Sequence, residues 1–380
     1  MDGSTLNLIE FRRDLHRNPE LGFQETRTKA KVAYVLRALG LEVHEGRGVI
    51  GILRSGVGNR AIGLRADLDA LPIQERSGLD YASQRTGVMH ACGHDGHTAM
   101  LLGAAHNLAQ ERDFDGTIVF LFQPNEEHGL GARAMIDDDG VLDRFPIDEV
   151  YAIHNLPGAP LGQVSTRVGQ ICASESLFDI TIEGQGGHAS MPHVGVDALT
   201  VGAEMVLALQ TIVSRKLPPD AGAVVSVTEF QTNGQRNVLP GRAALKGDVR
   251  ARRPEDRLEI ERLMRQIVAG VAATHGLSAS MTFETEFIET FNAQAPTDAV
   301  IRAAQTAGLE ADGARAPMSF SEDFAHFSAA VPGCLLLMGN GIQGAHGQPL
   351  HSDDYDFNDA LLPYGVAFWS ALVRDRLPKR

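Results

Sequence analysis

The nine residues "MHACGHDGH", Met89 to His97, hold one cysteine and three histidines. Imidazole with thiolate suits zinc, cobalt, nickel or manganese better than calcium, and Cys92 and His94, two apart on a turn with Gly93 between them, can face one centre. A Gly-rich turn whose histidines cap backbone groups is the competing explanation. "FQPNEE" shifts the balance, because Glu126 and Glu127 follow an apolar run directly, where a loop at the carboxyl edge of a sheet would hold a site. Adjacent carboxylates can divide the work, one ligating a metal while the other moves a proton between water and substrate. A solvated acidic pair favoured by a helix dipole is the plainer alternative. His154, at the end of "EVYAIH", and His351, in the loop-like "PLHSDDYDFND", bring the donors to five, enough for two metals.

These donors need elements to hold them. "NLIEFRRDLHRNPELGFQETRTKAKVAYVLRALGLEV" has apolar residues at helical spacing, a Pro-Glu interruption and a Gly stop, which predicts two helices leading into a strand. "VIGILRS", "AIGLRADLDALPI" and "TIVFLF" read as strands, the last a continuous apolar run of the kind covered on both faces, and "TAMLLGAAHNLAQE" reads as a helix. Alternating strands and helices predict an α/β domain with a mostly parallel sheet. From about Leu177 the pattern changes to four alternating strands, "LFDITIEG", "AVVSVTEFQ", "RAALKGDVRA" and "SASMTFETEF", with two amphipathic helices among them. That order, βαββαβ, predicts a small α+β domain inserted in the larger one. The boundaries read as 1–177 for the first part of the catalytic domain, 178–288 for the insert and 289–380 for the second part.

Composition narrows the partners. Three cysteines in 380 residues cannot form a disulfide framework, which points to a reducing, cytoplasmic setting. The N-terminus lacks a basic stretch followed by an apolar run, and no membrane association is expected. A formal charge of −14 without a Lys/Arg block argues against nucleic acid and leaves small molecules.

With those motifs in hand the chain resembles, over nearly its full length, the two-metal aminoacylase/carboxypeptidase amidohydrolases, in the branch of hippurate hydrolases and plant auxin-conjugate hydrolases. The stretches that carry the resemblance are "RRDLHRNPELGFQE", "RADLDALP", "MHACGHDGHTAMLLGAA", "FQPNEE", "AIHN", "GGHASMPHVGVDA", "NVLPG", "SEDFAHF" and "LHSDDYDFND". The resemblance implies a metallopeptidase-family hydrolase that cleaves the amide of N-acyl or N-aroyl amino acids with two divalent metals per subunit, zinc, manganese, cobalt or nickel. It implies Cys92 as a bridging ligand, with His94, Glu127, His154 and His351 as the others. Glu126 would be the general base that deprotonates a metal-bridging water and returns the proton to the leaving amine. His188 would be an oxyanion donor, supplied in dimeric relatives by the neighbouring subunit. Asn237 and Glu322 would contact substrate, and Asp69 would orient a ligand. In related branches a histidine ligand stands where this chain has Asp67, and His94 would substitute for it.

The resemblance further implies a homodimer or higher homo-oligomer formed through the insert, which would act as a lid hinged near 175–180 and 286–291. A dipeptidase or a deaminating hydrolase would use the same water activation, and a non-catalytic binding protein would have to keep the fold without the base. Asn125, His128 and Phe320 stand where many relatives have smaller residues, which leaves the acyl preference open. His90 and His97 read as structural or as supports for ligands, His16 as a packing or capping residue, and Arg250 as either a substrate contact or a surface ion pair.

Overall fold

The helical spacing of the first forty residues becomes α1 (Leu8–Arg17) and α2 (Thr26–Ala38) in the computed structural model, which describes residues 6–379. Asn7 caps α1 by accepting the Glu10 N–H, and Phe11 and Leu15, four apart, bury the same face. The chain then enters β1 (Glu42–Glu45), β2 (Val49–Ser55) and β3 (Ala61–Asp67), passes through α3 (His94–Glu111), and continues into β4 (Gly116–Gln123) and β5 (Glu149–Pro157).

These strands lie in an eight-stranded sheet ordered β1, β2, β4, β3, β5, Gly333–Gly341, Val164–Ser165, Ala311–Asp312. The four central strands, β4, β3, β5 and Gly333–Gly341, are parallel, as the alternation of strands and helices predicts. The margins depart from it: β1, β2 and β4 pair antiparallel, and Val164–Ser165 runs against Gly333–Gly341. Only residues 46–48 join β1 to β2, too few for a crossover, so that pair closes as a hairpin. All seven residues of β3 are buried, and Leu64, Phe120, Tyr151 and Leu336 from the central strands share one apolar core with α3 and the C-terminal helix Leu362–Arg376.

By its internal contacts the chain forms two compact units. The larger comprises residues up to Ile171, Thr290–Pro317 and the chain from Glu322 onward; the smaller comprises Cys172–Glu289 and Met318–Ser321. The smaller unit is an antiparallel sheet ordered Val224–Thr232, Arg242–Ala251, Ser174–Glu183, Ser278–Phe287, with helices Ala198–Thr211 and Pro254–Thr274, the predicted βαββαβ. Period-two alternation works directly here: Phe178, Ile180 and Ile182 are buried while Leu177, Asp179 and Glu183 face outward.

The first strand of this unit begins earlier than its apolar pattern, because Ser174 and Ser176 are small polar residues that are nevertheless buried. Residues 175–180 are therefore the middle of a strand paired on both edges, and the chain passes between units at Ile171–Cys172, Glu289–Thr290, Pro317–Met318 and Ser321–Glu322. Ala198–Lys216 is long and apolar enough to span a membrane by length and composition, yet Val201, Met205 and Leu209 pack it into the core of its own unit.

Leu64 lies in the central strand with no exposure. Leu64→Ala is expected to cost about 2–5 kcal/mol, read as a lower urea midpoint with an unchanged slope; an unchanged midpoint would contradict its place in the core.

Candidate metal centre

Three segments with candidate donors leave the carboxyl ends of adjacent parallel strands, where open α/β sheets place ligands. β3 ends at Asp67 and leads to Asp69; β4 ends at Gln123, followed by Pro124, Asn125, Glu126 and Glu127; β5 carries His154 near its end. The Cys92 turn precedes α3, and Gly93 takes φ +97°, a conformation that glycine tolerates and that lets His94 begin the helix. His351, at φ +65°, is fixed by its N–H bond to the Ala91 carbonyl at 2.8 Å, which attaches its loop to the Cys92 segment.

The five expected ligands come together. Cys92, His94 and His154 offer donor atoms within 4.8 Å of one another, as do Cys92, Glu127 and His351, so Cys92 belongs to both groups. The Cys92 Sγ lies 3.3 Å from His154 Nε2, His94 Nε2 lies 3.8 Å from a Glu127 oxygen, and His351 Nε2 lies 3.5 Å from the other. The rings are oriented for this. His94 Nδ1 donates to the Asp69 carbonyl at 3.0 Å with the Asp69 carboxylate 3.3 Å away, and His154 Nδ1 donates to the Asn155 carbonyl at 2.7 Å. Each ring therefore turns Nε2 toward the cluster. Asp69 also accepts the Glu127 N–H at 3.0 Å, so one carboxylate supports two candidate ligands.

These residues fit a pair of divalent cations. His94 Nε2 and Glu127 Oε1 are buried without a hydrogen-bond partner, a costly state for polar atoms unless something else meets them. Against the opposing effect of burial, Asp67 and Asp69 hold the His94 proton up to about pH 10, and a cation at Nε2 would take the proton's place. Burial, then the charges of Glu127 and Glu126, raises the Cys92 thiol well above its ordinary range, and burial keeps His154 neutral.

Glu126 has different company from Glu127. It shares a buried group with Glu322 and Asp323, and its Oε1 accepts the Asp323 N–H at 3.4 Å. Burial first, then Glu322 and Glu127, raises its carboxyl well above the usual range. Glu322 itself is 1% exposed, with Oε1 accepting from Arg65 at 2.9 Å and from the Phe324 N–H at 3.1 Å. It stands behind Glu126 with no surface for a substrate, which corrects its reading as a substrate contact. Both oxygens of Asp67 are engaged, one accepting from His97 at 2.7 Å and the other from Arg65 at 2.7 Å.

In the smaller unit His188 and Asn237 are brought together, because Gly187–His188 pairs with Val238–Leu239 and the Ala189 N–H bonds the Asn237 carbonyl. Both side chains are exposed. His188 Nδ1 accepts the Ser190 N–H at 3.1 Å, which leaves Nε2 as the protonated nitrogen. Arg250 forms ion pairs with Glu175 at 2.6 Å and Asp248 at 2.9 Å, the plainer of its two readings.

Other side chains surround the cluster, and of these Arg65 and Arg12 had no role assigned from the sequence. His97 is engaged at both nitrogens, by Asp67 and by the Asn155 N–H, and His90 is buried and held neutral by that burial. Arg65 reaches Asp67, Glu322, Asp323 and Gln123 at once. A charged residue inside the apolar strand "AIGLRAD" was the available signal, since a side chain buried on both faces of a sheet must be paired. His16 is a buried partner of Asp95 at 2.9 Å; Arg12 contacts Asp95 at 3.4 Å and also bonds Asp359 and the Phe357 carbonyl, joining α1, α3 and the chain after His351.

Residues 63–375 match the sequence profile of peptidase family M20/M25/M40. A hippurate hydrolase of Campylobacter jejuni is 36% identical over 373 residues, covering 96% of this chain and 95% of its own. An N-acetylcysteine deacetylase of Bacillus subtilis is 36% identical over 345 residues, covering 89% of this chain and 90% of its own. Among solved structures, a dinuclear metal-binding M20 peptidase of Bacillus subtilis matches with a TM-score of 0.83 at 32% identity, covering 96% of each chain.

Asp69→Ala removes the carboxylate shared by His94 and the Glu127 backbone. Metal affinity, measured by chelator competition on the folded protein, is expected to fall about 10–100-fold; affinity equal to the parent's would show that Asp69 supports neither residue.

Proposed function

This chain belongs to peptidase family M20/M25/M40, and from that premise we propose that it hydrolyses the amide bond of N-acyl or N-aroyl amino acids, with two divalent metal ions and Glu126 as proton carrier. It is a metal-binding hydrolase of amide bonds by its family, and the finer reading draws on two relatives whose names specify hippurate and N-acetylcysteine, each an amino acid acylated on nitrogen. The observation that carries it is the difference between sequence neighbours that both lie within 4.0 Å of His94: Glu127 also meets His351, while Glu126 also joins Glu322 and Asp323.

In this reading Cys92, His94, Glu127, His154 and His351 hold the two ions, and their mixture of thiolate, imidazole and carboxylate accepts zinc, manganese, cobalt or nickel. Bound there, the ions acidify water and neutralise negative charge that develops on the substrate carbonyl. Glu126 takes the proton of the attacking water on its carboxylate and delivers it to the leaving amine nitrogen. Burial and the neighbouring Glu322 raise its proton affinity before any cation is bound. The resemblance supports His188 as a donor to the developing oxyanion and Asn237 as a substrate contact; within the smaller unit the two share a ribbon, and the Ser190 bond orients the imidazole.

Three free, buried cysteines are consistent with a cytoplasmic setting. A homodimer is supported by helix Ala198–Thr211 and its continuation, which leave Leu199, Leu207 and Val213 exposed, Leu207 by 72%. An apolar face of that kind suits a second copy of the chain.

Glu126→Gln is expected to keep its metal while release of glycine from N-benzoylglycine falls about 10²–10⁴-fold; turnover within tenfold of the parent would remove Glu126 from the role. Leu207→Glu is expected to shift sedimentation toward monomer, and a parent that sediments as a monomer would refute the dimer.

A further inference from the structure

The stretch "NPELGFQE", residues 18–25, belongs to the larger unit and has no role in the hydrolytic reading above, yet its backbone geometry is unusual at both ends of its contact with the Glu126 loop. Phe23 takes φ +59°, a value that a bulky residue adopts only when its surroundings impose it, and Asn125 takes φ +48°, a left-handed turn that asparagine tolerates. Between them Gly22 lies so close that a Cβ there would overlap the Asn125 amide oxygen. The Glu20 carbonyl accepts the Ala70 N–H at 2.8 Å, which ties the same stretch to the residue after Asp69.

Glu25 completes the attachment. It stands at the N-cap of α2, where a side chain ordinarily bonds the first free N–H groups of its own helix, and it makes no such bond. Glu20 does that work instead, accepting the Arg27 and Thr28 N–H groups at 3.1 and 2.8 Å. The Glu25 carboxylate is turned inward, 1% exposed, and accepts the Asn125 N–H at 2.8 Å. That N–H belongs to the residue immediately before Glu126.

We propose that Glu25 is a positioning residue for the proton carrier: by holding the Asn125 N–H in a left-handed turn it sets the direction in which the Glu126 side chain leaves the loop. Glu127 has its own anchor in Asp69, so the two neighbouring glutamates are held by separate carboxylates. The role needs an acceptor oxygen and not a charge. Burial, together with the nearby Asp69, pushes the Glu25 carboxyl up to about 7, and a protonated carboxyl still presents its carbonyl oxygen to the Asn125 N–H.

The proposal rests on the hydrolase reading for its kinetic test and stands apart from it for its structural one. In Glu25→Ala, kcat for N-benzoylglycine is expected to fall tenfold or more, with KM and cobalt affinity within threefold of the parent and with faster amide exchange in the peptide containing Asn125. Glu25→Gln, which keeps an acceptor, is expected to restore kcat and exchange to within threefold. If Glu25→Ala does not accumulate as folded protein, Glu25→Asp, whose carboxylate is withdrawn by one methylene, is expected to fold and to show the same selective loss of kcat. Wild-type kcat in the shortened variants, an equal loss of cobalt affinity, or a Gln variant as impaired as the Ala variant overturns the proposal. A parent inactive on every acyl amino acid defeats the hydrolase reading alone, and in that case the exchange comparison decides the place of Glu25.

Discussion

Negative charge gathered where water cannot reach it dominates the larger unit. Asp67, Asp69, Glu322 and Asp323 are at most 1% exposed, Glu126 only 5%, and Glu127 joins them beside a buried thiol. Each ionised carboxylate removed from water costs several kcal/mol even after relaxation, so the arrangement survives only where every oxygen finds a partner or a proton. Arg65 supplies one answer, with its fork of donors spread over Asp67, Glu322 and Asp323. Protonation supplies another, since burial pushes Asp323 up to about 7 and Glu126 upward too. The remaining shortage of positive charge lies beside Cys92, His94 and Glu127, where the unpartnered donor atoms are found. A pair of divalent ions would meet that shortage and those atoms together.

The same constraint explains why the surrounding backbone is stiff. The proposed ligands lie just after β4, near the end of β5, on the turn and first residue of α3 and in the loop of His351, and the turns between are locked by side chains from far away. Gly93 has no room for a Cβ against Asn155 and Tyr355, Asn155 in turn engages His97, and His97 holds Asp67. Residues in sparsely populated conformations, Asn125 and His351 among them, persist when their neighbours over-determine them. Arg12 and His16 do for the far side of the cluster what Arg65 does for the near side, fastening Asp95 at the start of α3 to the chain that follows His351. A site built this way carries its geometry before any substrate arrives, which is how preorganised electrostatics lowers a barrier.

What the sequence determined by itself is local. Spacing singled out candidate donors, Cys92, His94, the pair Glu126 and Glu127, His154 and His351, because metal-binding residue types on turns after apolar strands need no distant information to be noticed; which glutamate would ligate came from the resemblance. Alternation identified the βαββαβ unit, because side-chain period follows directly from strand geometry. Only the tertiary structure decided the rest. It showed that Ser174 and Ser176 are interior, that residues 175–180 are a paired strand, and that Glu322 stands behind Glu126 instead of at a surface. It also showed that Arg65, 257 residues from Glu322 in the chain, is the cation these acids share. Charge compensation acts through space between side chains that packing brings together, and a linear pattern records the residue types available for it without recording which of them meet.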